Sequence, residues 1–274
     1  MKIKQITSAQ NSTFKQTVKY NNAREARKAG VFMVEGIRAV DEVLQAGDWR
    51  MESLWISEEL IKSDRTYVQA VLKNIKEETP VYTVAAPMFA RLADTETPQG
   101  ILAVVKRQSF ELTQVLKNSE KAPLIVILEN LQDPGNVGTI LRTADSAGAT
   151  AVICTRGTAD IYSAKVVRST MGSLLHLPVC HVESVQAVAE LLHRHNVQLL
   201  AAHLQGQCYH FEQDLKQPVA ILIGNEGAGL TAEATAAADA LVKIPMPGKA
   251  ESLNAAMAAG ILVYEAVRQR MQNI

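Results

Sequence analysis

The sequence predicts an α/β protein whose C-terminal part is a parallel sheet covered by helices on both faces. Three observations predict it. From residue 123 onward, short apolar runs alternate with helical stretches; strands that are apolar throughout belong to sheets buried on both sides. Segments rich in glycine, proline and asparagine follow three of those strands, where an open parallel sheet binds its ligands. The composition is ordinary for a globular protein, 47% hydrophobic and 20% charged over 274 residues, enough chain for one large domain or two modest ones.

In the first part, strands are predicted at 31–34, 54–56, 81–84 and 101–105, with helices at 36–46 and 66–76. A polar stretch, Lys106-Arg107-Gln108-Ser109 and then Lys117-Asn118-Ser119-Glu120-Lys121, reads as a linker over 107–122 between domains at 1–106 and 123–274. Beyond it, strands are expected at 124–128, 151–154, 198–202, 219–223 and 241–244. Helices are expected at 137–147, 163–175, 185–195, 232–238 and 252–271. In the last helix Leu253, Ala256, Met257, Gly260, Ile261, Tyr264 and Val267 recur at three- and four-residue spacing.

Several classes are excluded. No apolar run is long enough for a membrane helix. The polar start, Met1-Lys2-Ile3-Lys4-Gln5, lacks the apolar core of a secretion signal, so a cytoplasmic location is expected. Cys154, Cys180 and Cys208 form no Cys-x-x-Cys pair, and Cys154 and Cys180 read as buried hydrophobes. His193 and His195 are two residues apart on a helix, on different faces, so no metal is expected.

The net charge is zero and does not by itself favour a polyanionic partner. Its distribution is uneven. Residues 1–30 carry seven basic side chains (Lys2, Lys4, Lys15, Lys19, Arg24, Arg27, Lys28) against Glu25 alone. Lys15 and Lys19, four apart, share one helix face. They form either a solvated surface or a phosphate-tracking patch.

The three loop segments carry the chemistry. The first runs from Glu129 to Ala144: Asp133-Pro134-Gly135 is a turn, Asn136 is a helix N-cap candidate, and Arg142 follows about two turns later. Arg142 reads either as a functional cation or as a solvated helix arginine. The second, Gly224-Asn225-Glu226-Gly227-Ala228-Gly229, ends a buried strand in three glycines, which suit positive φ or close approach to a ligand. Glu226 there is either ligand-facing or a surface acid. The third runs from Ile244 to Gly260 and has two prolines; Ser252 is the N-cap candidate and Asn254 lies in the first helical turn. The dinucleotide fingerprint, the Walker phosphate loop and the Gly-x-Ser-x-Gly elbow are all absent.

In order, spacing and residues, these segments resemble the three motifs of the SpoU (TrmH-like) branch of the SPOUT RNA methyltransferases. The match spans 123–268, and the first domain, through Phe32-Met33-Val34-Glu35-Gly36, is similar to the ribosomal-protein-like α/β/α module that often precedes this catalytic domain. The resemblance implies a C-terminal trefoil knot and S-adenosylmethionine as methyl donor. It implies donor contacts at Gly224, Ile244 and Leu253, with Met246, Glu226 and Asn254 nearby, and a homodimer. It makes Arg142 the catalytic arginine, with Asn136, Glu226, Ser252 and Asn254 around it. Lys15, Lys19, Arg24, Arg27 and Arg142 become RNA-contact candidates. Ala255 and Ala256 depart from the Val-Ser of many members. The implied activity is methylation of a ribose 2′-hydroxyl, on ribosomal rather than transfer RNA. The rivals are a transfer-RNA ribose methyltransferase, a base-nitrogen methyltransferase, and an RNA-binding protein of the same fold without catalysis.

Overall fold

A computed structural model of the chain describes residues 3–119 and 121–271; Lys2 and Glu120 lie outside them. The chain divides into two compact units, one of Met1–Gln108 with Tyr162–Leu175, the other of Ser109–Ile161 with His176–Ile274.

The first unit contains β1 (Ile3–Gln5), α1 (Ser12–Lys19), α2 (Ala23–Ala29), β2 (Val31–Glu35), α3 (Ile37–Gln45) and β3 (Met51–Ser57). It continues with α4 (Glu58–Ser63), α5 (Arg65–Asn74), β4 (Val81–Val84), α6 (Ala86–Phe89) and β5 (Ile101–Lys106). Asparagine side chains start α1 and α2: Asn11 accepts from the amides of Thr13 and Phe14, and Asn22 from those of Arg24 and Glu25. The five strands form a mixed sheet, β1-β4-β3-β5-β2, in which β5 runs antiparallel to both its neighbours. Phe14, Trp55, Val84, Phe89 and Leu102 form the core on one face.

The later elements are α7 (Leu112–Lys117), β6 (Leu124–Leu128), α8 (Pro134–Ser146), β7 (Ala151–Thr155), α9 (Ala164–Thr170), β8 (Val179–Val182) and α10 (Val185–Arg194). They end with β9 (Gln198–Ala202), β10 (Cys208–Tyr209), β11 (Val219–Ile223), α11 (Ala232–Ala237), β12 (Ala240–Lys243) and α12 (Ala255–Met271). All seven strands of this sheet are parallel, in the order β10-β12-β9-β11-β6-β7-β8. Every residue of β6, β7 and β11 is buried, as sequences apolar at every position but Thr155 require. Cys154 and Cys180 lie in this core, and burial pushes their thiols up to about 12 and about 11.

Four findings differ from the sequence reading. Residues 107–122, read as a linker, contain α7, whose Leu112 and Leu116 are buried in the second unit's core. The helix expected over 163–175 is α9 followed by a short 3-10 turn, and it packs with the first unit. There the Tyr162 ring lies against Phe32 (centroids 4.8 Å apart) and the Trp49 indole donates to the Leu175 carbonyl at 2.9 Å. Strands β8 and β10 were not anticipated. In α12 the buried face is Ala256, Ala259, Leu262, Val263, Ala266 and Gln269. Met257 and Tyr264, on the face the periodicity picked out, are 61% and 48% exposed.

Candidate active site

The three loops leave the same end of the parallel sheet. Ile223 pairs with Leu128, so Gly224 emerges from β11 directly beside Glu129 from β6. Ile244 follows β12, two strands from β11, so the second and third loops start about 10 Å apart at ordinary strand spacing.

The first loop turns into α8 through Asp133, whose carboxylate accepts from the Asn136 amide at 2.8 Å. Asp133, not Asn136, is therefore the N-cap. The signal was in the sequence: Pro134 suits the first helical position, which makes the residue before it the cap. Asn136 is thereby released to face the other loops. Its Nδ2 donates to Glu226 Oε1 at 3.0 Å, and its Oδ1 accepts from Asn254 Nδ2 at 2.9 Å. One asparagine side chain thus bridges the second and third motifs.

Glu226 also accepts from the backbone amides of Gln132 (3.1 Å) and Asp133 (3.0 Å). Burial pulls its carboxyl upward, but the Asn136 side chain and the backbone donors outweigh that and hold it below the usual carboxylate range. It is a fixed anion that locks the loops together.

The loop after β11 is shaped from within. Asn225 Oδ1 accepts from the amides of Gly227 and Ala228, and its Nδ2 donates to the Asn130 carbonyl at 2.8 Å. Asn225 and Gly229 exchange two backbone bonds, each 3.0 Å. This closure brings the chain over Gly224, where an added Cβ would lie 2.5 Å from the Gly229 carbonyl carbon. Glu129, 7% exposed, accepts from the Thr231 amide and hydroxyl. Asn130, Asn225 and Glu129 lie within the motif segments, but the sequence assigns them no role. The positive φ of Asn130 (51°) gives the only local signal, and it is conformational.

The third loop approaches α12 through Asn254, whose Oδ1 accepts from the amides of Ala256 and Met257 at 2.9 and 3.3 Å. Asn254 is therefore the N-cap and α12 starts at Ala255, three residues after the Ser252 start expected. Ser252 is exposed and makes no side-chain hydrogen bond among the described residues. Asparagine here caps with its oxygen and bridges to Asn136 with its nitrogen, one side chain serving both bonds. Ile244 and Met246 are half-buried, and Leu253 is 38% exposed at the sheet mouth.

Arg142 lies on α8, about 9 Å along the helix axis from Asn136 at normal helical rise. It is exposed, and its guanidinium makes no hydrogen bond or ion pair among the described residues. In the first unit Lys15, Lys19, Arg24 and Arg27 are all exposed on α1 and α2.

The SpoU rRNA Methylase family matches residues 123–264, just over half the chain. The chain belongs to that family. The MRM3-like substrate binding domain matches residues 11–103. Among SpoU relatives, the 23S rRNA (guanosine(2553)-2′-O)-methyltransferase RlmP of Bacillus subtilis is 34% identical over 96% of this chain and 98% of its own. The structure of the SpoU methyltransferase AviRb from Streptomyces viridochromogenes in complex with AdoMet superposes with a TM-score of 0.86. It is 32% identical and covers 96% of this chain and 99% of that one. The TrmH/SpoU tRNA modifying enzyme of A. aeolicus, with a TM-score of 0.51 and 31% identity, covers 59% of this chain and 82% of its own. Among the described residues no helix is long and apolar enough to cross a membrane, and no group of three or more His, Cys, Asp or Glu could hold a metal ion.

Proposed function

We propose that this SpoU protein transfers the methyl group of S-adenosylmethionine to a ribose 2′-hydroxyl of ribosomal RNA in the cytoplasm, with Arg142 as the catalytic residue. The observation that carries the site assignment is the Asn136 bridge, which draws all three motifs into one polar constellation at the carboxyl end of a parallel sheet. Ribosomal RNA is favoured over transfer RNA by architecture. The 23S rRNA relative matches both units, whereas the tRNA-modifying neighbour covers 59% of the chain.

The residues present fit the donor. Ile244, Met246 and Leu253 offer apolar surface at the sheet mouth without being taken up in the core. Gly224 and the loop over 244–254 present backbone amides and carbonyls beside it, and Glu226 adds negative charge near a cationic ligand. S-adenosylmethionine supplies an electrophilic methyl group when bound there. An arginine stays charged at working pH and is a poor base. Arg142 therefore holds the phosphate next to the target ribose and stabilises negative charge developing on the 2′-oxygen as the oxygen–methyl bond forms and the sulfur–methyl bond breaks, the hydroxyl proton passing to solvent and the donor leaving as a neutral thioether. Asn136, Glu226 and Asn254 position the loops through their bonds to one another, while Ser252, exposed and without a side-chain partner among the described residues, is available to the RNA. The C-terminal segment forms the trefoil knot. After β12 the chain returns across β9 to pack α12 on β6, β11 and α8, consistent with that topology. The apolar stripe Met257, Ile261 and Tyr264, exposed on α12, supports a homodimer.

The test is direct. The protein is incubated with methyl-labelled donor and ribosomal or transfer RNA, and the RNA is digested to nucleosides. Label on ribose of ribosomal RNA is expected. Label on a base, or only on transfer RNA, would replace this reading, and no label with intact donor binding would point to the non-catalytic rival.

A further inference from the structure

Away from the candidate active site, the first unit holds a groove of about 640 Å³ between α1 and the open part of its sheet. Helix α1 covers the sheet incompletely. Its residues Ser12, Thr13, Gln16, Thr17 and Tyr20 form one wall, one continuous helical face. Val31, Val104 and Ser53, all buried, lie beneath, and the Tyr82 ring lines the groove. Tyr82 is held from one side by Trp55, with ring centroids 4.6 Å apart and planes 31° from parallel. The indole is itself fixed by its bond to Ser53 Oγ at 3.1 Å and by an edge contact from Phe14. A half-exposed aromatic ring is thus braced from behind.

The rim is cationic in a chain whose net charge is zero. Arg50 and Lys106 lie on it, both exposed. Glu52 pairs with Arg50 at 2.9 Å and leaves that side chain 71% exposed, so the rim keeps a net positive charge. The Gln16 amide and the hydroxyls of Tyr20 and Tyr82 make no hydrogen bond among the described residues.

We propose that this groove binds one unpaired nucleotide of the RNA substrate, its base stacked on Tyr82 and its phosphate against Arg50 and Lys106. A braced aromatic face, adaptable amide and hydroxyl groups, and cations at the rim are what recognition of single-stranded RNA requires. Unstacked bases that can lie on an aromatic face belong to single-stranded loops and bulges, so the occupant is a splayed base from such a segment. The inference rests on the reading of the protein as an RNA enzyme and adds where the first unit grips its RNA.

The full chain is titrated with a 12-nucleotide single-stranded RNA, with a duplex of the same sequence, and with 4-thiouridine-substituted strands for photo-crosslinking. The expected results are preference for the single strand and crosslinks on peptides carrying Tyr20 or Tyr82. Tyr82→Ala should weaken binding about tenfold, with Tyr82→Phe close to wild type. Arg50→Ala with Lys106→Ala, both at exposed positions that leave folding intact, should weaken binding and lower its salt dependence by roughly one to two charges. Lys62→Ala, exposed in the same unit outside the groove, serves as control. In turnover, the groove variants should raise KM for RNA with kcat and donor affinity unchanged. Equal affinity for duplex and single strand, crosslinks confined to other peptides, or groove variants that bind as wild type would overturn the proposal. A wild-type protein that transfers no methyl group defeats the functional reading alone, because the binding and crosslinking results still decide the groove.

Discussion

Arg142 and Asn136 sit on the same short helix and do different work. Asn136 spends both ends of its side-chain amide on Glu226 and Asn254, whereas Arg142 has its guanidinium free of protein partners among the described residues. A free, exposed fork of donors is available to an RNA phosphate and to a developing alkoxide. Arg142→Ala should therefore lower kcat by about 10²–10³-fold or more, the scale of losing a donor that stabilises transition-state charge, while calorimetry shows donor affinity unchanged. Arg142→Lys restoring near-full activity would show that a point charge suffices and the fork does not matter. Gly224 is constrained differently. An added Cβ would meet the loop's own backbone at Gly229 and Leu230 at 2.5 and 2.6 Å, before any ligand is considered. Gly224→Ala should thus lower Tm as well as donor binding; a variant with unchanged Tm that fails only to bind donor would mean that the loop relaxes and only the ligand feels the methyl group.

At the scale of elements, α12 ties the sheet together from its far end. The Arg270 guanidinium donates to four carbonyls, those of Ala122, Pro123, Leu215 and Gln217, at 2.8–3.1 Å, where β6 and β11 begin. Gln269, 7% exposed, accepts from the Leu215 amide and donates to the Gln213 carbonyl. Replacing Arg270 with alanine removes those bonds and should cost about 2–4 kcal/mol, read as a lower denaturant midpoint. Glu265 anchors the same end: the bidentate bonds from Arg268 hold its carboxyl at about 2, against an ordinary value of 4.5. A carboxyl held low stabilises the fold fully above its unfolded value and loses that contribution as pH falls toward 2. The Tm difference between wild type and Glu265→Gln should be constant above about pH 5.5 and shrink between pH 4.5 and 2. A difference independent of pH in that window would mean the ion pair contributes nothing. The periodicity of α12 was legible, but it did not tell which apolar face is buried. Small alanines meet α8 and the sheet, while the larger Met257, Ile261 and Tyr264 lie outside. Close helix packing selects the small residues, and the hydrophobic pattern alone ranks the large ones higher.

For the whole molecule, the exposed stripe of α12 predicts self-association. A C2 interface presents the same patch from both copies, so Ile261→Glu, at a position 36% exposed in the single chain, should shift a dimer to monomer in sedimentation velocity and remove the concentration dependence of its Tm. A monomeric wild type would reject the dimer. The sequence by itself determined the α/β class, the strands at 124–128, 151–154, 198–202 and 219–223, and the three loops that meet in the candidate site. Those rest on local signals: uniformly apolar runs, glycine and proline at strand ends, and a motif order dense enough to identify the family. Only the tertiary structure decided that Asp133 and Asn254 are the caps, that residues 162–175 pack with the first unit, and that Asn136 joins loops 90 and 118 residues further along the chain. The physical reason is the same in each case. A side chain's type states which bonds it can make, but which partner stands within 3 Å of it is fixed by the register of a parallel sheet that gathers distant loops at one end.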